Sequence, residues 1–190
     1  AQKEAERAAK AGFDLIIAAG GDGTINEVVN GVAPLEYRPK LAIIPTGTTN
    51  DYARALKIPL GDPVKAAKII GQNQTIQMDI GRAFGDKYFI NIAAAGTLTE
   101  LTYSVPSEVK THLGYFAYVA KGIEMFPQTK VRPVKITHDQ GVFEGEVSLI
   151  FVALTNSIGG FEQLAPDTKL DDGNFTLILV KTDKLFEMLA

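Results

Sequence analysis

The sequence predicts an α/β fold, with a parallel sheet in its first part and mainly antiparallel strands after it. Short apolar runs at residues 13–19 and 41–45 are each followed by a polar, glycine-containing loop and then by a helical pattern. From about residue 75 the chain instead alternates apolar and polar residues around turn-forming positions. We therefore predict an α/β domain over 1–79 and a mainly β domain over 80–190.

Helix signals mark the first half of the chain. Residues 1–11 predict a helix in which Glu6 and Lys10 pair one turn apart, with Gly12 at its C-terminal end. Thr24 and Glu27 have the spacing of a capping box, which predicts that the next helix begins near Thr24.

Two later helices are predicted by the same kind of signal. One covers about residues 51–56, directly after the second polar loop. Another runs to Gly71, and Asp62 with Pro63 forms its cap and first turn.

The second half predicts antiparallel strands. The alternation over 75–84, a two-residue turn at Gly85-Asp86 and the run 87–95 indicate a hairpin. A helical stretch is expected over about 97–126. Strands are expected at 134–137, after the turn at 139–141, and at 175–180. We expect inserted helices between the strands of a β-sandwich domain.

Composition excludes several functional classes. A formal net charge of -3 with no basic run argues against a nucleic-acid partner. The chain has no cysteine, so disulfides, thiolate metal sites and thiol nucleophiles are excluded. The longest apolar run, near residues 148–154, is far shorter than the roughly 20 residues of a membrane span. The chain begins and ends within helical patterns, and we expect it to be part of a longer protein.

Two loops carry the chemistry that the sequence suggests. The first lies in AAGGDGTINEVVNG (18–31) and the second in IPTGTTNDYARAL (44–56). A glycine-rich turn that leads into a helix N-terminus binds anions, because its amides lack backbone partners and the helix dipole is positive there. We expect the amides of Thr24, Ile25 and Asn26 to face the ligand. Loops after neighbouring parallel strands meet at one sheet edge, where α/β proteins bind ligands.

Asp22 is unexpected in an anion site, because its carboxylate would repel a phosphate. A cation between them resolves this, and Mg²⁺ prefers oxygen ligands and phosphates. The alternative is that the turn is only a tight connection with a capped helix and a surface aspartate.

These two motifs resemble the catalytic domain of diacylglycerol kinases and related lipid kinases, particularly the soluble enzymes of Gram-positive bacteria. The resemblance extends over essentially the whole chain, including FINIAAAG and KLDDGNFTLILV. It implies an ATP-binding cleft in which Asp22 is the catalytic acidic residue that organises Mg²⁺ and the phosphates. The implied ATP-binding residues are Gly21, Asp22, Gly23, Thr24, Ile25, Asn26, Glu27, Thr48 and Asp79. For Asp79 the alternative is a polar position on an alternating strand.

A late acidic loop, PDTKLDDGNF (166–175), predicts either a cation site or a simple bend. Asp167, Asp171 and Asp172 provide the oxygen ligands that Mg²⁺ or Ca²⁺ prefers, whereas Asp and Gly are also ordinary turn residues. By resemblance, a structural Mg²⁺ would be bound by the carboxylate of Asp172 and the backbone carbonyls of Lys169 and Asn174.

The family resemblance implies transfer of the γ-phosphate of ATP to the hydroxyl of diacylglycerol, giving phosphatidic acid. The general base of such enzymes is a glutamate in a later segment, so we expect it outside this chain and expect this fragment alone to be inactive. The alternatives are a kinase of a soluble substrate such as NAD, and a non-catalytic nucleotide- or lipid-binding regulatory module.

A lipid substrate requires contact with a membrane. Residues 104–138 contain five Lys/Arg and two Glu with interleaved aromatic residues, a pattern that suits peripheral binding to anionic lipid. The alternative is an amphipathic helix packed on the sheet. We expect a cytoplasmic protein associated peripherally with the inner face of the membrane; exposed sheet edges would permit a homodimer.

Overall fold

The computed structural model describes residues 1–96, 130–156 and 169–181. Helices and strands alternate in the first part, as the sequence predicts. Its elements are α1 (Gln2–Lys10), β1 (Leu15–Gly20), α2 (Asp22–Val32), β2 (Lys40–Pro45), α3 (Asp51–Ala55) and α4 (Pro63–Gly71). They are followed by β3 (Gly81–Arg82), β4 (Tyr88–Phe89), β5 (Ile92–Gly96), β6 (Arg132–His138), β7 (Gly141–Val147), β8 (Leu149–Ala153) and β9 (Thr176–Val180).

Strands β1 and β2 form the predicted parallel pair, with Leu15 opposite Lys40 and Gly20 opposite Pro45. Both strands therefore end at one edge, and both loops begin there. Helix α2 packs against β1 and against α1. The core between these elements includes Ile25, which is fully buried, and a set of small and β-branched side chains: Ala5, Ala9, Ala18, Val28, Val29 and Ile43.

The helix ends follow the sequence signals in two cases. Gly12, with φ of 79°, ends α1, where its amide donates to the carbonyl of Ala9 and the amide of Phe13 donates to that of Ala8. At the start of α4, the Asp62 carboxylate accepts a 3.0 Å hydrogen bond from the Lys65 amide.

The predicted capping box at Thr24 and Glu27 is wrong. Helix α2 begins two residues earlier, at Asp22, with Gly21 as its N-cap and no side-chain cap. Thr24 lies in the first turn, and its side chain occupies the space that a Cβ on Gly20 would need. The chain turns into the helix at Gly21 itself, so the glycine turn, and not the spacing of Thr24 and Glu27, sets the start of α2.

The hairpin after residue 75 is shorter than predicted. Only Gly81–Arg82 and Tyr88–Phe89 pair, antiparallel, and residues 74–80 have no regular structure in spite of their alternation. The Ala83 amide donates to the Lys87 carbonyl, so the loop has three residues, 84–86, with Gly85 at φ of 63°.

The remaining described strands form two small sheets. Strand β8 lies between β5 and β9, and β6 pairs with β7 in an antiparallel hairpin across Asp139-Gln140. The chain divides into two compact units, Ala1–Ile92 with Ala153–Phe175 and Ala93–Val152 with Thr176–Ala190. The boundary near residues 79–81 stays a prediction, and the helical stretch at 97–126 lies outside the described residues. No helix in the described ranges is long and apolar enough to cross a bilayer.

Candidate functional site

The first residue of α2 caps the N-terminus of α3. One carboxylate oxygen of Asp22 accepts the backbone amide of Asp51 and the other accepts that of Tyr52, both at 3.0 Å. These two amides belong to the first turn of α3 and have no partner within that helix. Asp22 thus joins the two loops that follow β1 and β2, which the sequence predicted to meet at one edge.

The two loops also touch through their backbones. The Thr46 amide donates to the Gly20 carbonyl at 3.1 Å. A Cβ on Gly47 would lie 2.4 Å from the Gly21 Cα, and a Cβ on Gly21 would lie 3.0 Å from the Gly47 Cα. Gly47 therefore has to be glycine for the loops to approach each other, and a side chain at Gly21 would be tight.

Asn50 fixes the shape of the second loop, and the sequence analysis did not single it out. Its backbone is left-handed, with φ of 54° and ψ of 46°, a conformation that Asn tolerates better than most residues. Its side-chain oxygen accepts the Gly47 amide at 2.9 Å, and its side-chain nitrogen donates to the Gly47 carbonyl at 2.8 Å. An Asn three residues after a glycine, just before a helix, was the available signal.

The surface of the paired loops is open to a ligand. A Cβ on Gly23 would meet nothing within 4 Å, and its φ is not positive, so the fold itself does not require glycine there. A phosphate approaching the backbone would require it. Thr46, Gly47 and Thr48 are exposed on the second loop.

The amides available for a phosphate differ from those predicted. Because α2 begins at Asp22, the amides without helical partners are those of Asp22, Gly23 and Thr24. The expectation for the Ile25 amide is wrong, since it donates to the Gly21 carbonyl at 3.1 Å. The Asn26 amide lies further inside the helix, so the expectation that it faces the ligand is wrong for the same reason.

The carboxylate of Asp22 remains suited to a cation. Each of its oxygens accepts one amide hydrogen bond, and a carboxylate oxygen has a second lone pair. The side chain is half-buried at the loop edge. This donor set fits one or two Mg²⁺ coordination positions, with the rest filled by water and phosphate oxygens.

Known proteins match the part of this chain that contains both motifs. Residues 1–83 match the diacylglycerol kinase catalytic domain. Proteins named diacylglycerol kinase from Bacillus subtilis (strain 168) and Staphylococcus haemolyticus (strain JCSC1435) are 56% and 53% identical over 185 residues, which is 97% of this chain. The chain is therefore similar to diacylglycerol kinases over nearly its whole length. It spans 61% and 56% of the length of these two relatives.

A solved structure shows the same similarity. A crystal structure of a diacylglycerol kinase from Bacillus anthracis str. Sterne is 36% identical, with a TM-score of 0.76, and the match covers 95% of this chain and 60% of that one. The catalytic-domain match includes both loops and Asp79, whereas the late loop at 169–175 lies beyond it.

Asp79 contacts the late loop, residues 169–175, through two hydrogen bonds. Its carboxylate accepts the Gly173 amide at 2.7 Å, and its own amide donates to the Leu170 carbonyl at 2.8 Å. The late loop therefore reaches a residue that was predicted to belong to the nucleotide site. The alternation predicted that Asp79 lies on a strand, but the structure shows no regular strand there.

The late loop itself is organised around Asp172. Its carboxylate accepts the Asn174 amide, and the Asn174 side chain donates to the Asp172 carbonyl, both at 3.0 Å. Gly173 has φ of 70°, and Lys169 is exposed. In the described ranges no group of three or more His, Cys, Asp or Glu side chains surrounds a common point. Asp167 lies outside those ranges.

Asn30 is a second residue that sequence reasoning missed. It is buried on α2, where its amide nitrogen donates to the carbonyls of Asn26 and Tyr88 and its oxygen accepts the Tyr88 amide. It thereby ties the helix that begins at the first loop to strand β4. A buried Asn on the inner side of a helical pattern is the signal that would have found it.

Proposed function

We propose that the longer protein containing this chain is an ATP-dependent lipid kinase that phosphorylates the hydroxyl of diacylglycerol to give phosphatidic acid. The observation that carries the proposal is the joining of the two loops by Asp22 at the edge where β1 and β2 end. The similarity of the chain to these relatives supports it, because the relatives that match both loops are named for this activity.

The loops supply the nucleotide contacts in this proposal. The amides of the first turn of α2 and the open backbone at Gly23 receive phosphate oxygens, and Thr48 offers a hydroxyl from the second loop. The full set of residues proposed for the ATP site is Gly21, Asp22, Gly23, Thr24, Ile25, Asn26, Glu27, Thr48 and Asp79. For Ile25, which is fully buried, any contribution is to the packing beneath the loop.

Asp22 has two roles in the proposed mechanism. Its carboxylate orients α3 through two amides and offers its remaining lone pairs to Mg²⁺. Mg²⁺ held by this carboxylate would offset negative charge on the phosphate oxygens of ATP. We assign no general base within this chain, and place it in the part of the longer protein that the relatives possess beyond the matched region.

The late loop is proposed as a separate, structural Mg²⁺ site. The Asp172 carboxylate and the carbonyls of Lys169 and Asn174 would be its protein ligands, with water completing the octahedron. The exposed oxygens of a loop with an Asp-Gly-Asn turn support the proposal.

The lipid substrate implies further proposals for the whole protein. We place it on the cytoplasmic side, bound peripherally to anionic lipid at the inner face of the membrane, and we propose that the later strands complete a β-sandwich domain. A homodimer is proposed through exposed sheet edges.

The direct test uses the full-length protein with labelled ATP, Mg²⁺ and mixed micelles of diacylglycerol, and a parallel reaction with NAD. Label in phosphatidic acid, lost in Asp22→Ala, is the expected result. Label in NADP would instead assign a soluble substrate. Binding of ATP without label in either product would identify a non-catalytic regulatory module.

A further inference from the structure

An apolar cavity lies apart from the loops, against β2. It has a volume of about 610 Å³ and is lined by β2, α2, α3, α4 and residues 74–80. That volume is within the range of about 300–1,000 Å³ that ligand pockets occupy. The space is partly open to solvent, so a ligand could enter it.

Apolar side chains dominate the cavity wall. Strand β2 contributes Leu41 and Ile43, helix α4 contributes Ile69 and Ile70, and the irregular segment 74–80 contributes Met78. In that segment Ile76 and Ile80 also line the space, and 62% and 36% of their surfaces remain exposed. Apolar surface left beside an apolar cavity favours an apolar occupant.

The charges at the cavity have one sign. Arg38 and Lys40 line it where β2 begins, and no acidic residue is among the described lining residues. Both side chains are exposed; the Lys40 ammonium donates to Asn73 at 3.4 Å, and the Arg38 Nε donates to the Leu35 carbonyl at 3.2 Å. Neither contact neutralises the cation, so the entrance favours an anion.

One buried hydroxyl lies in the wall of the cavity, away from Arg38 and Lys40. Tyr52 lines the cavity, is 4% exposed, and its hydroxyl has no hydrogen-bond partner among the described residues. Burial raises the pKa of Tyr52 to about 12, so the phenol is neutral near pH 7. A buried hydroxyl without a partner is uncommon in folded proteins.

We propose that this cavity binds an amphiphile with one acyl chain and an anionic head, the chain lying along β2 and the head at Arg38 and Lys40. The proposed head position lies where β2 begins, whereas the proposed nucleotide loops follow the other end of the strand, near Tyr52. The proposal does not depend on kinase activity. A long-chain fatty acid and a lysophosphatidic acid share this chemistry, and their heads distinguish them.

The test measures binding to the full-length protein below the critical micelle concentration. Palmitate and 1-palmitoyl lysophosphatidic acid are the anionic probes, and 1-monopalmitoylglycerol is the neutral probe with the same chain. We expect saturable one-to-one binding of at least one anionic probe, tighter than the neutral probe by about tenfold. The tighter of the two anionic probes identifies the head. Equal affinity for the neutral probe would overturn the anionic assignment.

Variants test the location. The double substitution Arg38→Gln and Lys40→Gln should weaken the anionic probe by about tenfold and leave the neutral probe unchanged. Lys68→Gln is the matched control, because Lys68 lies on α4 outside the lining, and should change neither. Ala66→Phe places a ring in the cavity and should abolish binding of both.

A measurement on the unaltered protein covers the case in which Ala66→Phe does not fold. A palmitate analogue with a photoreactive group near its chain end should label residues 66–80 in competition with palmitate. Labelling elsewhere, or no saturable binding by any probe, would overturn the proposal.

Discussion

The carboxylate of Asp22 accepts a 3.0 Å hydrogen bond from the backbone amide of Asp51, so the first residue of one helix caps the next. Its second oxygen does the same for Tyr52. The side chain predicted to organise Mg²⁺ is therefore also a structural tie between the two loops. Substitutions at this position will change stability and catalysis together, and controls must separate the two effects.

Asp22→Ala should abolish phosphoryl transfer and also lower the free energy of unfolding by about 1–2 kcal/mol, because two first-turn amides of α3 lose their cap. Denaturant unfolding and the labelled-ATP assay measure the two effects on the same preparation.

Asp62→Ala is the matched control, because Asp62 caps α4 through the Lys65 amide. We expect a loss of about 1 kcal/mol in unfolding free energy with phosphoryl transfer unchanged. If Asp22→Ala retained activity in proportion to its folded fraction, Asp22 would be only a helix cap.

Gly47→Ala should separate the two loops, because its Cβ would lie 2.4 Å from the Gly21 Cα, a contact with backbone that cannot rotate away. We expect a stability loss of about 1–3 kcal/mol and a rise in the KM for ATP. Gly71→Ala, at the end of α4 where a Cβ meets nothing within 4 Å, is the control and should be neutral or stabilising. Equal melting temperatures for the two variants would contradict the close approach.

Gly23→Ala separates an effect on folding from an effect on ligand binding better than Gly47→Ala does. A Cβ here meets no protein atom within 4 Å, and Ala favours a helix over Gly by about 1 kcal/mol. Stability should be kept or increased while the KM for ATP rises by about tenfold or more. Wild-type kinetics in a folded variant would remove this backbone from the phosphate site.

The sequence was sufficient for the parts of the fold that local signals determine. The two apolar runs, the glycine at the end of α1 and the Asp62-Pro63 start of α4 are each set by short-range chemistry. The start of α2 was mispredicted because two start signals compete there. The T-x-x-E spacing favours Thr24, and the glycine turn that fits against Gly47 favours Asp22.

Contacts between distant residues account for what the sequence did not predict. Residues 74–80 alternate like a strand, but the Asp79 amide is bonded to the late-loop carbonyl of Leu170 instead of a neighbouring strand. Alternation predicts which residues share a face of a strand, but it does not predict which strand pairs with it. The bridge from Asp22 to α3 and the Asn30 contacts with Tyr88 join residues 29 to 58 positions apart. No local spacing specifies such pairs.

The late loop predicts a Mg²⁺-dependent melting temperature. Mg²⁺ should raise the melting temperature of the full-length protein, and Asp172→Ala should remove that increment. Because the Asp172 carboxylate also accepts the Asn174 amide, the variant should melt lower even without Mg²⁺. Asp139→Ala is the control, since Asp139 is exposed in the turn between β6 and β7 and belongs to no proposed site. An identical increment in wild type and Asp172→Ala would place the ion elsewhere.

Asn30→Asp tests the buried bridge between α2 and β4. The substitution keeps the shape but replaces a donor to the Asn26 and Tyr88 carbonyls, 2.9 and 2.8 Å away, with a carboxylate oxygen. Burying that charge against two carbonyl oxygens should lower the free energy of unfolding by about 2–4 kcal/mol at neutral pH. Protonation of the carboxyl restores a donor, so part of the loss should be recovered as the pH falls.

Asn26→Asp is the control, because the Asn26 side chain is exposed, and it should lower the free energy of unfolding by less than about 0.5 kcal/mol. Urea unfolding of the three proteins at two pH values decides the point: equal stabilities for the two variants would show that Asn30 carries no bridge.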